Sequence, residues 1–265
     1  MPKVRVNDIN IYYEIHGNGF PLVLIRGLSS DVYRWPSEFV NNLSTSFRVI
    51  IFDNRGAGRT DKPDIEYSIE MMANDTVSLI STLQIERAHI LGFSMGGLIA
   101  QEIAISHPSF VEKLILSGTG CGGDKGVSAS DDVQSILNNN RSNLNPKEAL
   151  MSTIPLLFTE EFIENNPDKI EEFIQNSIKS PIPPHSYRRQ LAAIGHYSSY
   201  GRFPEIKSQT FVIHGKKDIL VPPENGKILA ENIPGAKLIL LDNLGHDIFS
   251  QDPISIAKII DGLLK

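Results

Sequence analysis

AHILGFSMGGLIAQEIAISHP, residues 88–108, passes from an apolar run through a single serine between glycines directly into a helical pattern. Its first six residues form a short apolar run, the length of a strand buried on both faces. From Met95 onward, Leu98, Ile99, Ile103 and Ala104 recur with the period of a helix running to about His107. Ser94 stands between the two, flanked by Gly92 and Gly96. Glycines at those places remove side chains where a strand and a helix cross tightly, so the serine hydroxyl projects from the carboxyl end of the sheet. The backbone N–H of Met95, at the start of the helix, faces the same point and can donate to an oxyanion. Ser94 is therefore a candidate nucleophile, and Met95 a candidate oxyanion donor. The pattern G-x-S-x-G is short enough to arise by chance; a strand before it and a helix after it are the context that gives it meaning.

Outward from this stretch, apolar runs recur at residues 21–27, 47–53, 112–118, 210–215 and 236–242. They read as strands of a parallel sheet covered on both sides, and the alternating residues 1–17 as a strand pair, a ribbon before it. Helical patterns lie between most of them. Residues 68–83 open with Ser68 as N-cap, and the last helix opens with Asp252 as N-cap and Pro253 at its first position. Strand and helix in alternation predict an α/β fold with right-handed crossovers. The rhythm breaks between Cys121 and Phe203, where helical patterns occupy 131–140, 145–158, 168–178 and 186–197 without a strand-like run. A structureless loop of that length is improbable, so residues 121–203 read as a helical cap inserted into a core of 1–120 and 204–265. Leu156, Leu157, Phe158, Phe162 and Phe173 in that segment have the helical spacing of packing residues.

Composition narrows the function classes. The chain has 265 residues, 41% hydrophobic and 21% charged, which is ordinary globular usage. A formal net charge of −6 without a clustered basic face argues against a nucleic-acid partner. No apolar run approaches the ~18 residues of a membrane helix, and the N-terminus lacks the apolar core of a signal peptide. The single cysteine, Cys121, fits a reducing, cytoplasmic setting. The histidines share no metal-ligand spacing, so no metal is expected. GAGRTD, residues 56–61, has aspartate where a dinucleotide loop has its third glycine. A small-molecule substrate and no cofactor are the expectation; the sequence carries no signal for an oligomeric state.

A serine hydroxyl becomes a competent nucleophile only when a base takes its proton, and the base needs an acid to fix its tautomer. Both belong on loops at the same end of the sheet, later in the chain. Asp218 follows the run 210–215, and His246 follows the run 236–242. Asp124, after the run 112–118, is an alternative acid in a glycine-rich loop; the loop context favours Asp218. His214, at the end of an apolar strand, reads as structural, and Asp53 and Arg55 as residues that hold a turn.

The order Ser94, Asp218, His246 and the motifs LVLIRGLSS, FDNRGAGRTDKP, GFSMGG, HGKKDILVPP and NLGHDIF together resemble the α/β-hydrolase superfamily over the whole chain. The likeness is to its serine-type, lid-bearing group of carboxylesterases, enol-lactone hydrolases and cofactor-free haloperoxidases. The resemblance implies Ser94 as nucleophile, His246 as general base and acid, Asp218 as the orienting carboxylate, and the backbone N–H groups of Leu28 and Met95 as oxyanion hole. Arg26, Ser29 and Val221, on the same loops, are the candidate pocket residues. Where the family usually has His-Gly, this chain has Arg26-Gly27. Arg26 is expected to brace its loop, with recognition of a substrate carboxylate as the second reading. The function so implied is a cofactor-free serine esterase. Lactonase, C–C bond hydrolase and perhydrolase chemistry use the same residues, and a slow-turnover ligand sensor is the alternative from another class.

Overall fold

The computed structural model describes residues 2–138 and 145–265. The end of the predicted helix 131–140 lies outside them. Among the described residues, eight strands form one sheet in the order β1-β2-β4-β3-β5-β6-β7-β8. β1 (Lys3–Val6) and β2 (Ile9–His16) make the predicted strand pair, which is antiparallel, and β2 also pairs antiparallel with β4 (Phe47–Phe52). From β4 onward through β3 (Phe20–Ile25), β5 (Ala88–Phe93), β6 (Val111–Ser117), β7 (Gln209–Gly215) and β8 (Lys237–Leu241) every pairing is parallel.

The period of two along each strand divides the core into two layers. Val23 and Ile25 of β3, Ile50 and Phe52 of β4 and Ile90 of β5 face one side, against α2 (Ile69–Thr82), α3 (Met95–Ser106) and α10 (Glu224–Asn232). Leu22, Leu24, Val49, Ile51 and Leu91 face the other, against α1 (Ser37–Leu43), α11 (Ile248–Gln251) and α12 (Pro253–Leu264). With helices on both faces, the central strands are apolar throughout; all six residues of β5 are buried. β8 differs from the sequence reading: it is the edge strand, and its residues are half-buried or exposed rather than covered on both sides.

The caps follow the sequence. The Ser68 side chain accepts from the Met71 N–H at the start of α2, and Asp252 accepts from the Ser255 N–H ahead of Pro253. β3 ends at Ile25, two residues before the apolar run does, because the Arg26 carbonyl leaves the ladder and accepts from Asn54 Nδ2 at 2.9 Å.

Between β6 and β7 the described chain is helical: α4 (Asp131–Asn138), α5 (Pro146–Met151), α6 (Ile154–Leu157), α7 (Glu160–Asn165), α8 (Pro167–Ile178) and α9 (Pro184–His196). Ile154, Phe158, Phe173 and Ile174 form a small apolar cluster of their own, with Phe162 stacked on Phe158. The segment is tied to the sheet at several points. Gly122 bridges to Ser198, Tyr197 Oη donates to Glu102 Oε2 at 3.0 Å, and Gln190 Nε2 donates to the Arg55 carbonyl at 2.8 Å.

Candidate functional site

Ser94 joins β5 to α3 in a backbone conformation that L-residues rarely adopt, with φ 57° and ψ −122°. Such a conformation costs about 1–3 kcal/mol and persists only where its surroundings enforce it. Here the Ser94 N–H donates to the Ser117 carbonyl of β6 at 3.0 Å, and its own carbonyl accepts from the Gly97 N–H at 2.8 Å. The helix start also lies hard against the end of β3: a Cβ at Gly96 would sit 2.1 Å from the Ile25 carbonyl oxygen. Gly27 packs against the serine itself, since a Cβ there would lie 2.8 Å from Ser94 Cβ and 3.2 Å from its Oγ.

The two backbone donors predicted from sequence adjoin this point. Met95 is the first residue of α3, so its N–H has no intrahelical partner. Leu28 follows Gly27 in the loop after β3, and its N–H is claimed by no acceptor among the described residues. The neighbouring Ser29 has φ 62°, and its N–H is already taken by Gln190 Oε1 of α9 at 2.9 Å. Ser29 thus serves to fix the loop from the helical segment, while its side chain lies in the cavity wall.

His246 and Asp218 come from the loops after β8 and β7, which the parallel pairing of those strands sets side by side. The Lys216 N–H donates to the Leu241 carbonyl and the Lys217 N–H to the Leu244 carbonyl. His246 Nδ1 lies 2.7 Å from Asp218 Oδ2, and both side chains are buried. Asp218 Oδ1 accepts from the N–H groups of Leu220 and Val221, at 3.0 and 2.8 Å, so the carboxylate is fixed in its own turn. Burial acts to raise the Asp218 pKa, but the charge of His246 and the hydrogen bonds from His214 and His246 outweigh it and hold the carboxyl below its ordinary value. Asp124, the alternative acid, lies in a short turn at Gly123–Lys125, and the acid bonded to His246 is Asp218.

With Nδ1 bonded to Asp218, the Nε2 side of the His246 ring is the one available to a reacting group. The ring packs on Phe93, the residue before Ser94, at 4.8 Å between centroids. His246 and Ser94 line one cavity of about 1000 Å³, together with Leu28, Met95, Ser29 and Val221. A half-buried serine hydroxyl and a histidine bonded to a carboxylate thus line one cavity, with two backbone N–H groups beside the serine that no described acceptor claims.

Several polar residues of the site carry no local sequence signal. His214 is fully buried, and its Nε2 faces both Asp218 Oδ2 at 3.2 Å and the Val221 carbonyl at 2.9 Å. Two acceptors facing one nitrogen place the ring proton on Nε2, so His214 donates to the acid that also serves His246. Arg26 reaches Asp247, the residue after His246, in an ion pair of 2.8 Å with both side chains 1% exposed. Its guanidinium also lies over Trp35 and Phe93, at 4.6 and 4.9 Å. An arginine at the end of an apolar strand demands a carboxylate, but which of the 31 acidic residues supplies it is a tertiary fact. The Asp247 N–H donates to the Leu157 carbonyl, which ties the histidine loop to the helical segment.

The helical residues between β6 and β7 divide in their placement. Leu156 and Leu157 line the cavity, whereas Phe158, Phe162 and Phe173 pack on one another. Asp53 and Arg55 hold the turn after β4. Asp53 accepts from the Val32 and Arg59 N–H groups, and Arg55 pairs with Asp8 and Asp75.

A family model described as alpha/beta hydrolase fold matches residues 21–253. Among solved structures, the chain is similar to the enol-lactonase from Burkholderia xenovorans LB400, with a TM-score of 0.87, 28% identity and all of both chains covered. It is also similar to a thermophilic esterase from Thermogutta terrifontis, with a TM-score of 0.86 and 25% identity over 100% of this chain and 98% of that one. A curated relative from Rhizobium rhizogenes, named "Putative carbamate hydrolase RutD", is 28% identical over 250 residues, which are 92% of this chain and 93% of the relative.

Proposed function

We propose, for a hydrolase that belongs to the alpha/beta hydrolase fold family, that the bond it cleaves is a carboxylic ester, through an acyl-enzyme on Ser94. The observation that carries this reading is the strained Ser94 turn between β5 and α3, opening into the cavity that His246 also lines. In this reading Ser94 Oγ attacks the ester carbonyl carbon while His246 Nε2 takes its proton. The Leu28 and Met95 N–H groups hold the oxyanion of the tetrahedral intermediate. As that intermediate collapses, the C–O bond to the alcohol breaks and the alcohol leaves with the proton from His246. Water then attacks the acyl carbon, His246 takes its proton and returns it to Ser94 Oγ, and the carboxylic acid departs. Asp218 remains ionised throughout, orienting the imidazole and stabilising its protonated form.

The remaining candidates take supporting roles in the same reading. Arg26 braces the loop of His246 through Asp247, and the helices of residues 121–203 act as a cap whose Leu156 and Leu157 shape the acyl pocket. A lactone is a cyclic ester and meets the same groups. The likeness to a structure titled enol-lactonase makes lactones the second reading.

The test is steady-state hydrolysis of 4-nitrophenyl esters of graded acyl length, beside simple lactones, by wild type and Ser94→Ala. Many turnovers by wild type and a loss of at least about 10³-fold in the variant are expected. A single burst, or variant activity equal to wild type, would remove the acyl-enzyme on Ser94.

A further inference from the structure

Beside His246, the cavity wall carries positive charge that the protein leaves partly uncompensated. Arg26 and Arg34 both line the cavity, and both act on the carboxylate of Asp247, the acidic group among its described lining residues. Arg26 reaches Asp247 through Nη2 alone, and its Nε and Nη1 are buried without a hydrogen-bond partner. Asp247 shares its remaining capacity with Ser250.

Arg34 is the less satisfied of the two. Its Nε is buried and unpartnered, and its guanidinium forms no ion pair among the described residues. The guanidinium lies 3.9 Å from the ring centroid of Phe173, and burial together with the charge of Arg26 lowers its pKa to about 10. Asp31 attracts it through space, without an ion pair between them. A half-buried guanidinium on a cavity wall, with its Nε buried and no ion pair, has donors free for a ligand, and an anion is what they suit.

We infer that Arg34 docks a carboxylate carried by the substrate, so that the ester cleaved at Ser94 is anionic: a half-ester of a dicarboxylic acid, or a lactone bearing a free carboxylate. Arg26, held by Asp247, adds to the field without being the docking group. The planar guanidinium offers parallel N–H donors matched to a carboxylate, and Phe173 packs against its face at 3.9 Å. This inference rests on the ester-hydrolase reading for its chemistry, but the anion site itself does not.

Two measurements separate the two claims. The first is the ratio of kcat/KM for 4-nitrophenyl hydrogen glutarate over 4-nitrophenyl butyrate, corrected for uncatalysed hydrolysis. Wild type is expected to favour the half-ester by at least about tenfold, Arg34→Gln to bring the ratio near one mainly through KM, and Arg34→Lys to fall between. The second is calorimetric binding of glutarate to Ser94→Ala protein, expected to weaken by at least about tenfold when Arg34→Gln is added. Turnover of butyrate with no preference for the half-ester in wild type overturns the anion site and leaves the hydrolase standing. Glutarate binding that depends on Arg34, with no turnover of either ester, keeps the anion site and overturns the ester reading. Glutarate binding unchanged by Arg34→Gln overturns the assignment to this residue. The wild-type ratio and Arg34→Lys decide the matter even if Arg34→Gln does not fold.

Discussion

Asp31 carries a buried carboxyl that forms no ion pair among the described residues, although Arg34 and Arg59 act on it through space. One of its oxygens accepts from the Tyr33 N–H at 3.0 Å, while Oδ2 is buried without a partner. Burial first, and then the charge of Asp53, push its pKa up to about 6. A folded-state value above the unfolded one means a contribution that is favourable below the unfolded value of about 3.9 and lost as pH rises through about 6. At pH 8 the charged form therefore costs up to about 3 kcal/mol. Asp31→Asn keeps the acceptor for Tyr33 and removes the charge. It is expected to raise the unfolding free energy by about 1–2 kcal/mol at pH 8 and leave it nearly unchanged at pH 4, measured by urea denaturation. Equal effects at both pH values would refute the assignment. At this scale the sequence was informative about Ser94, whose two glycines and following helix are local, and silent about Arg34, Asp247 and Gln190. Asp247 and Gln190 act through partners far along the chain, Arg34 through the absence of one, and nothing near them in sequence marks either.

The close crossing of β3, β5 and α3 is what holds Ser94 in place, and it depends on the absence of one methyl group. A Cβ at Gly96 would lie 2.1 Å from the Ile25 carbonyl oxygen and 2.8 Å from that of Arg26, both backbone atoms that cannot turn aside. Gly96→Ala is expected to destabilise by more than about 2 kcal/mol and to lower turnover with it, because the Ser94 turn must shift. Gly262→Ala is the contrast: it lies in α12 with nothing within 4 Å of a Cβ. It should stabilise by about 0.5–1 kcal/mol, as alanine does in a helix interior. Urea denaturation of both variants reads the difference, and a neutral Gly96→Ala would remove the steric argument. The elements themselves were largely legible. Periodicity located the strands and the capped helices α2 and α12, while α1 and α10, short and mixed in composition, have no comparable signal.

For the molecule as a whole, acid stability is set at the site. Burial works to raise the pKa values of Asp218 and Asp247. It is outweighed for Asp218 by His246 and His214, and for Asp247 by Arg26, so both carboxyls are held below the ordinary value. Depressed values contribute stability that is present above the unfolded value of about 3.9 and lost as pH falls through the lower folded values. The melting temperature is therefore expected to fall steeply only below about pH 4, and Asp247→Asn to flatten that fall while lowering stability at pH 7. Thermal unfolding from pH 2 to 8 checks both. An unchanged acid limb in Asp247→Asn would show that the pair with Arg26 contributes nothing to it.

The α/β fold, the Ser94 turn and the placement of Asp218 and His246 after their strands are legible in local sequence, because each is encoded by neighbours within a few residues. It also placed a helical segment between β6 and β7. Loop context already favoured Asp218 as the acid, but it takes the folded chain to show that Arg26 is bound to Asp247, that His214 shares the acid, and that Arg34 is left without an ion pair among the described residues. Hydrogen bonds and ion pairs join groups that are distant in the chain, and a pattern of residue types states that a partner is needed without stating which one. Topology supplies that choice when parallel strands bring their carboxyl ends to one side of the sheet.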